Sequence, residues 1–103
     1  MRNPQDCRDM TDVRAGIDEL DAELVRLLAL RARFIDRAAE IKEKIDWPAR
    51  IDARVEEVVQ NVRRHAEGAG LSPDLVDTLW RQLIEWSITR EEDRLGPDEL
   101  RKR

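Results

Sequence analysis

A single long apolar repeat constrains this chain more than any other feature of its sequence. Between Val13 and Ile45, apolar side chains recur at alternating steps of four and three residues, the period of a helix face packed against other helices. The sequence therefore predicts one very long first helix, with Thr11 as its N-cap and its end before Asp46-Trp47-Pro48. The positions on this face are Ile17, Leu20, Leu24, Leu27, Arg31, Phe34, Ala38, Ile41 and Ile45.

Arg31 is the charged residue on this otherwise apolar face. A guanidinium group does not lose its charge in a protein, so an arginine that points into a helical core needs a carboxylate or phosphate partner. The partner is supplied either by the protein, as a structural ion pair, or by a ligand. Arg31 is therefore a candidate anion-binding residue.

Composition and the positions of helix-capping and helix-breaking residues predict an all-α fold with three helices. The 103 residues are 41% hydrophobic and 41% charged, with four Gly and four Pro, which is typical of one helical domain. A second helix is expected over residues 49–66, and a third over residues 73–94 with Ser72 as N-cap and Pro73 in its first turn. We expect residues 1–10 to form a lead-in, residues 11–94 the single domain and residues 95–103 a charged, frayed tail.

The length of the first helix predicts the assembly. Thirty-three helical residues span roughly 50 Å, whereas a compact chain of this length has a radius of gyration near ~13 Å. The apolar face of such a helix needs the two shorter helices and a second copy to cover it. We therefore predict an obligate, intertwined homodimer.

Charge, cysteine content and metal spacing exclude several classes of function. The net charge is −4 and the basic residues alternate with acidic ones, so nucleic acid is not an expected partner, and no apolar run predicts a membrane span. Cys7 is the single cysteine, which together with the polar start predicts a reducing, cytoplasmic setting. His65 has no Cys, Asp or Glu at metal-binding spacing, so no metal is expected.

Two further cations on the first helix are candidates for a shared anion site. Lys42 follows Arg31 by eleven residues, close to three full turns, so both project from nearly the same face about 16 Å apart. They are placed to hold opposite ends of a small anion. Arg14 lies about 100° away around the helix, so it is expected to join them from the other subunit.

The third helix carries polar residues where its apolar stripe should continue. The stripe of Val76, Trp80 and Leu83 is followed at steps of four by Ser87 and Glu91. We therefore predict that Glu91 faces inward. A serine inside a helix commonly bonds its own backbone, and Glu91 is also a natural ion-pair partner for Lys42 or Arg31.

These residues together resemble a known family. Residues 13–21, 27–33 and 38–42 look like the first helix of the all-helical chorismate mutases, and the spacings of seventeen and eleven between Arg14, Arg31 and Lys42 match. Residues 83–87, followed by Glu91 at the family's Gln or Glu position, are similar to its third helix. The opening residues 3–7 and the Glu85-Trp86 pair are similar to the branch that contains isochorismate-pyruvate lyase.

The resemblance implies an intertwined dimer with two sites and no cofactor. Each site would bind chorismate, a small dianion, through Arg31 and the partner subunit's Arg14, with Arg54 as a helper. Lys42 would donate a hydrogen bond to the ether oxygen during the Claisen rearrangement to prephenate. Ser87 and Glu91 would line the same site.

Two positions depart from the family pattern. A glutamine at position 91 would donate a hydrogen bond from its neutral amide. Glu91 donates one only when its carboxyl group is protonated. Burial raises the pKa of such a glutamate, whereas Lys42 and Arg31 lower it, so the sequence leaves the net direction open. Ile51 and Val55 stand where many mutases carry acidic residues that bind the substrate hydroxyl, which favours the lyase branch.

Three functions are therefore weighed. Chorismate mutase is placed first, because the loop around residues 46–48 does not clearly match the lyase and mutase activity is expected within that branch too. Isochorismate-pyruvate lyase, forming salicylate and pyruvate, is the alternative. The third is a non-catalytic helical dimerisation module in which the polar core residues only form ion pairs: Arg14, Arg31, Lys42 and Glu91.

Overall fold

Three α-helices account for most of the chain. The structure, a computed structural model, describes residues 2–101. The helices are α1 (Met10–Ile45), α2 (Asp52–Ala69) and α3 (Pro73–Leu95), with single turns of 3-10 helix at Pro4–Asp6 and Asp98–Leu100. No strand occurs within the described range. The all-α fold with three helices, one of them very long, is confirmed.

The N-cap predicted for α1 is wrong. The helix begins at Met10, so Thr11 lies inside it. The Oδ1 atom of Asp9 accepts a hydrogen bond from the backbone N–H of Asp12 at 2.9 Å, which satisfies one of the free N–H groups of the first turn. Asp9 therefore takes the capping role, because its carboxylate is an equally good acceptor one position before the helix.

Helix α2 begins three residues later than predicted. Instead of entering a helix at Ala49, the chain bends there, and Ile51 just before the helix is extended with a φ of −128°. The backbone N–H groups of Ala49 and Arg50 donate to the carboxylate of Asp98, at 2.9 and 3.2 Å. The carbonyl oxygen of Ala49, which a helix starting there would bond to an N–H four residues later, accepts instead from Nζ of Lys42. The first helical bonds therefore begin at the carbonyl of Ile51, which accepts from the N–H groups of Arg54 and Val55.

The other helix ends follow glycine and proline chemistry. Helix α2 continues through Gly68 to Ala69, three residues beyond the predicted end, and Gly70 caps it with a φ of +74°, the left-handed conformation that glycine tolerates. Helix α3 starts as predicted, with Ser72 Oγ accepting from the N–H of Leu75 at 3.3 Å and Pro73 in the first turn. It ends one residue beyond the predicted boundary.

The chain divides into two compact units, Met1–Phe34 and Ile35–Arg103. In the second unit α2 and α3 pack against each other. Its buried apolar cluster joins the loop before α2 to both helices and consists of Ala49, Val59, Ile84, Ile88 and Leu95. The predicted single domain over residues 11–94 stays a prediction.

The C-terminal segment up to Arg101 makes hydrogen bonds with the backbone. Residues 98–100 form a turn of 3-10 helix, and the Nε atom of Arg101 donates to the carbonyl oxygen of Leu95 at 2.8 Å. The frayed tail over residues 95–103 stays a prediction. Residues 102–103 lie outside the described range.

The apolar face of α1 is largely exposed in the single chain. The large apolar side chains on this face have exposed fractions between 45% at Ile41 and 69% at Phe34, while Arg31 and Ala38 are half-buried. A second copy of the chain is what the sequence predicts to cover it, and the homodimer stays a prediction. Within residues 2–101, none of the helices has the length and apolar character needed to cross a membrane.

Candidate active site

A buried ion pair between α1 and α3 forms the centre of the candidate site. The Nζ atom of Lys42, near the end of α1, lies 2.8 Å from Oε1 of Glu91, near the end of α3. The two side chains are 16% and 7% exposed. The prediction that Glu91 faces inward is confirmed.

Two surface ion pairs on either side of this contact hold α3 against the last turns of α1. Asp36 pairs with Arg90 at 2.5 Å and Glu43 pairs with Arg94 at 3.3 Å. Exposed pairs of this kind contribute little to stability, because solvent screens the attraction. The two pairs instead help to set which residues of α1 and α3 lie opposite each other, so that the end of α1 faces Glu91.

Lys42 makes a second contact with the loop that precedes α2. Its Nζ atom donates to the carbonyl oxygen of Ala49 at 2.8 Å. An ammonium group carries three N–H donors. The carboxylate and the carbonyl occupy two of its directions, so a third remains for an oxygen atom of a ligand.

Glu91 has an unusual protonation equilibrium. Its Oε1 atom is buried and, within residues 2–101, has no donor aligned for a hydrogen bond, although Lys42 lies at ion-pair distance. Burial raises the pKa of Glu91 above its ordinary value, and this effect outweighs the lowering by Lys42, while the charge of Asp98 adds a smaller increase. The net shift of the Glu91 pKa, whose direction the sequence left open, is therefore upward.

Ser87 lies one turn before Glu91 on the same side of α3. It is 4% exposed, and its Oγ atom donates to the carbonyl oxygen of Leu83 at 2.8 Å. This is the backbone bond that serines inside helices commonly form. Its role in substrate binding stays a prediction.

Arg54 is not brought to the Lys42–Glu91 pair. It lies in the first turn of α2 with a side chain that is 63% exposed, and its guanidinium forms an ion pair with Glu57 one turn further on. An exposed pair of this kind is weak and easily exchanged for another anion. The role of Arg54 as a helper in substrate binding stays a prediction.

Arg14 and Arg31 both lie on the part of α1 that belongs to the first compact unit. Arg14 is exposed and Arg31 is half-buried. The Lys42–Glu91 pair belongs to the second unit. The predicted convergence of these arginines on one ligand, with Arg14 contributed across a dimer, stays a prediction.

Two contributors to the site were missed by sequence reasoning. The Ala49 carbonyl has no residue-type signature, because every residue carries one. Asp98 lies in a charged segment in which a bound carboxylate and a solvated one look alike. The motif Asp46-Trp47-Pro48 signals a loop, but nothing in it indicates which distant side chain holds that loop.

Comparison with known proteins identifies the family. A sequence model described as chorismate mutase type II matches residues 13–92, which include Lys42 and Glu91. The chain belongs to the chorismate mutase type II family. Membership places it among enzymes that convert chorismate or a closely related compound, and it agrees with the all-helical fold.

Relatives within this family carry different names. An isochorismate pyruvate lyase of Pseudomonas aeruginosa is 32% identical over 94 residues, which cover 88% of this chain and 89% of that protein. A T-protein of Enterobacter agglomerans is 30% identical over 86 residues, 84% of this chain. A bifunctional chorismate mutase/prephenate dehydratase of Aquifex aeolicus is 27% identical over 86 residues, 81% of this chain. The chain spans only 23% and 24% of the latter two proteins.

Proposed function

We propose that this chain is a chorismate mutase, which rearranges chorismate to prephenate. The observation that carries the proposal is the buried Lys42–Glu91 pair, formed within the part of the chain that matches the family. Buried charged groups with shifted pKa values are concentrated at functional sites. The family resemblance implies that these two side chains contact the ether oxygen of the substrate.

Lys42 is proposed to stabilise the transition state directly. In the rearrangement one C–O bond breaks while one C–C bond forms, no proton is transferred, and negative charge develops on the ether oxygen. The remaining N–H donor of Lys42 would donate to that oxygen. Because Glu91 and the Ala49 carbonyl already hold the ammonium, little reorganisation is needed as the charge develops.

Glu91 is proposed to donate a second hydrogen bond to the same oxygen in its protonated form. As a carboxylate it would repel a dianion, whereas as a carboxylic acid it has an O–H to donate. The raised pKa of Glu91 favours the protonated form. A buried carboxyl kept neutral so that it can donate a hydrogen bond is a known way of stabilising an oxyanion.

Substrate binding is proposed to rest on arginines and on a second subunit. Arg31 and the partner subunit's Arg14 would hold the two carboxylates of the substrate, with Arg54 and Ser87 in secondary contact. Holding the chair-like conformer in this way removes much of the entropic barrier. The exposed apolar face of α1 supports the intertwined homodimer that this arrangement requires.

Isochorismate-pyruvate lyase is the second candidate. It is favoured by the relative of that name, which matches this chain over 89% of its own length, and by the apolar Ile51 and Val55 at the start of α2. The same cations would fold isochorismate so that a ring hydrogen passes to the departing enolpyruvyl carbon as the C–O bond breaks. Salicylate and pyruvate would be the products.

Ligand-dependent thermal stability separates both enzymes from a non-catalytic dimerisation module. A dianion that binds only the native protein raises its melting temperature in proportion to the logarithm of its concentration. We expect such a rise with a bicyclic dicarboxylate that mimics the transition state. A module whose cations are fully used in internal ion pairs predicts no change at any concentration.

A further inference from the structure

The segment that follows α3, residues 96–101, forms hydrogen bonds and an ion pair with the loop that precedes α2. We call this segment the C-terminal latch. Its Asp98 accepts hydrogen bonds from two consecutive backbone N–H groups, with Oδ1 at 2.9 Å from the nitrogen of Ala49 and Oδ2 at 3.2 Å from the nitrogen of Arg50. The latch lies beyond residue 92, where the match to the family ends.

A second contact of the latch reaches the beginning of the same loop. Arg101, whose side chain is 15% exposed, lies 3.6 Å from Oδ1 of Asp46 and also bonds the Leu95 carbonyl. Asp46 has a φ of +60°, so it directs the chain sharply away from the end of α1. Loop residues 46–50 are therefore held at both ends by the latch.

Asp98 and Lys42 are connected by hydrogen bonds to the two sides of one peptide group. The N–H of Arg50 and the C=O of Ala49 belong to the same planar peptide, and they point in opposite directions. Asp98 accepts from that N–H, while the C=O accepts from Nζ of Lys42 at 2.8 Å. A negative charge on the N–H side polarises the peptide and makes its oxygen a stronger acceptor.

We propose that Asp98 is a positioning residue of the active site, which orients the Lys42 ammonium through the Ala49–Arg50 peptide. The C-terminal latch then belongs to the catalytic apparatus, although the chemistry takes place on α1 and α3. The effect of Asp98 on turnover rests on the proposed function. Its effect on the position of Lys42 does not.

Asp98 also acts on the site through its charge. It contributes to the raised pKa of Glu91, while Lys42 opposes the rise. Replacing the charge of Asp98 therefore moves the pH dependence of activity toward lower pH. A residue that only stabilised the fold would leave that profile in place.

The test uses the full chain with Asp98→Ala, Asp98→Asn and, as matched control, Glu99→Ala. Glu99 is the exposed neighbour of Asp98 on the same turn. We expect Asp98→Ala to lower kcat by roughly tenfold, the size of one lost charge-assisted hydrogen bond, with a smaller change in KM. Asp98→Asn, which keeps one acceptor oxygen, falls between, and Glu99→Ala matches the parent protein.

A nuclear magnetic resonance measurement makes the inference independent of turnover. In Asp98→Asn and Asp98→Ala, the amides of Ala49 and Arg50 exchange with solvent at least about tenfold faster, and the side-chain ammonium signal of Lys42 broadens or shifts. Unchanged amide exchange, or an unchanged Lys42 signal with full activity, overturns the inference. If the parent protein converts neither chorismate nor isochorismate, the proposed function fails, while a changed Lys42 signal still supports the positioning role.

Discussion

Oε1 of Glu91 lies 2.8 Å from Nζ of Lys42, and both side chains are mostly shielded from solvent. The two residues are separated by 49 positions in sequence and meet where the end of α1 runs beside α3. Burying such a pair rarely increases stability, because the cost of desolvation offsets the attraction. Stability of the fold alone therefore does not account for the pair, and we propose that its ammonium and carboxyl act on a ligand.

The pH dependence of activity should follow the protonation of Glu91. Its pKa is raised above the ordinary value, so its protonated fraction grows as pH falls through that raised pKa. The groups that act on it are Lys42 and Asp98. We expect kcat/KM for chorismate to increase below neutral pH, and Glu91→Gln to flatten the profile because an amide donates at every pH.

Glu85→Gln is the control for this experiment. Glu85 lies on the same helix, pairs with Arg50, and has a lowered pKa, so it stays ionised over the range assayed. Its substitution should preserve the pH dependence. A profile in Glu91→Gln that is superimposable on that of the parent protein would remove Glu91 from the proposed role.

Removing Lys42 should affect both rate and stability. Lys42→Met deletes a donor to the developing oxyanion, a change that costs about 10²–10³ in kcat where single donors have been removed. It also leaves Glu91 buried without its cation, which raises the pKa of that carboxyl further. Steady-state kinetics and urea unfolding measure the two effects.

The stability effect of Lys42→Met has a defined sign with pH. A carboxyl whose folded-state pKa is raised keeps its full contribution to stability below its unfolded pKa and loses it as pH rises through the folded value. Lys42→Met should therefore be most destabilised at alkaline pH, by roughly 3 kcal/mol, and recover in acid. Lys44→Met, an exposed change on the same helix, should show neither effect.

Ligand binding should depend on Arg31. If its guanidinium holds a carboxylate of the substrate, Arg31→Ala should abolish most of the rise in melting temperature produced by a bicyclic dicarboxylate, each variant being compared with its own ligand-free form. Arg33→Ala, an exposed change two residues away, should retain the rise. An equal rise in both variants would show that Arg31 does not bind the ligand.

The oligomeric state should depend on the apolar face of α1. Leu24 on this face is 55% exposed in the single chain. Leu24→Asp should dissociate or unfold the dimer, because it places a carboxylate in the predicted interface. Ala22→Asp introduces the same group about 200° around the helix and should remain dimeric in sedimentation analysis. A dimeric, fully folded Leu24→Asp would contradict this interface.

Periodicity and caps predicted the helices, because these signals are local. The 3.6-residue pattern of α1 and the Ser72-Pro73 start of α3 each act within one or two turns, and the structure confirms both. The predicted start of α2 was wrong because contacts with side chains outside this segment decide it. Residues 49–51 read as helix locally, yet Asp98, about fifty positions away, accepts from the N–H groups of Ala49 and Arg50, and Lys42 donates to the Ala49 carbonyl.

The site was predictable only where side-chain type carried the signal. A carboxylate on an apolar stripe indicated that Glu91 faces inward, and the structure places it there. The Ala49 carbonyl and the direction of the Glu91 pKa shift depend on three-dimensional burial and on a backbone atom, so residue types did not reveal them. The roles of Arg14, Arg31 and Arg54 concern a ligand and a second subunit, and they stay predictions.

Identification of the reaction product is the most direct test of the proposed chorismate mutase activity. Purified protein is incubated in parallel with chorismate and with isochorismate, beside Lys42→Met, and the products are separated by chromatography. We expect prephenate from chorismate as the main product, strongly reduced in Lys42→Met. Salicylate and pyruvate from isochorismate as the dominant products would replace the mutase with the lyase, and no product from either substrate would contradict an enzymatic role for the Lys42–Glu91 pair.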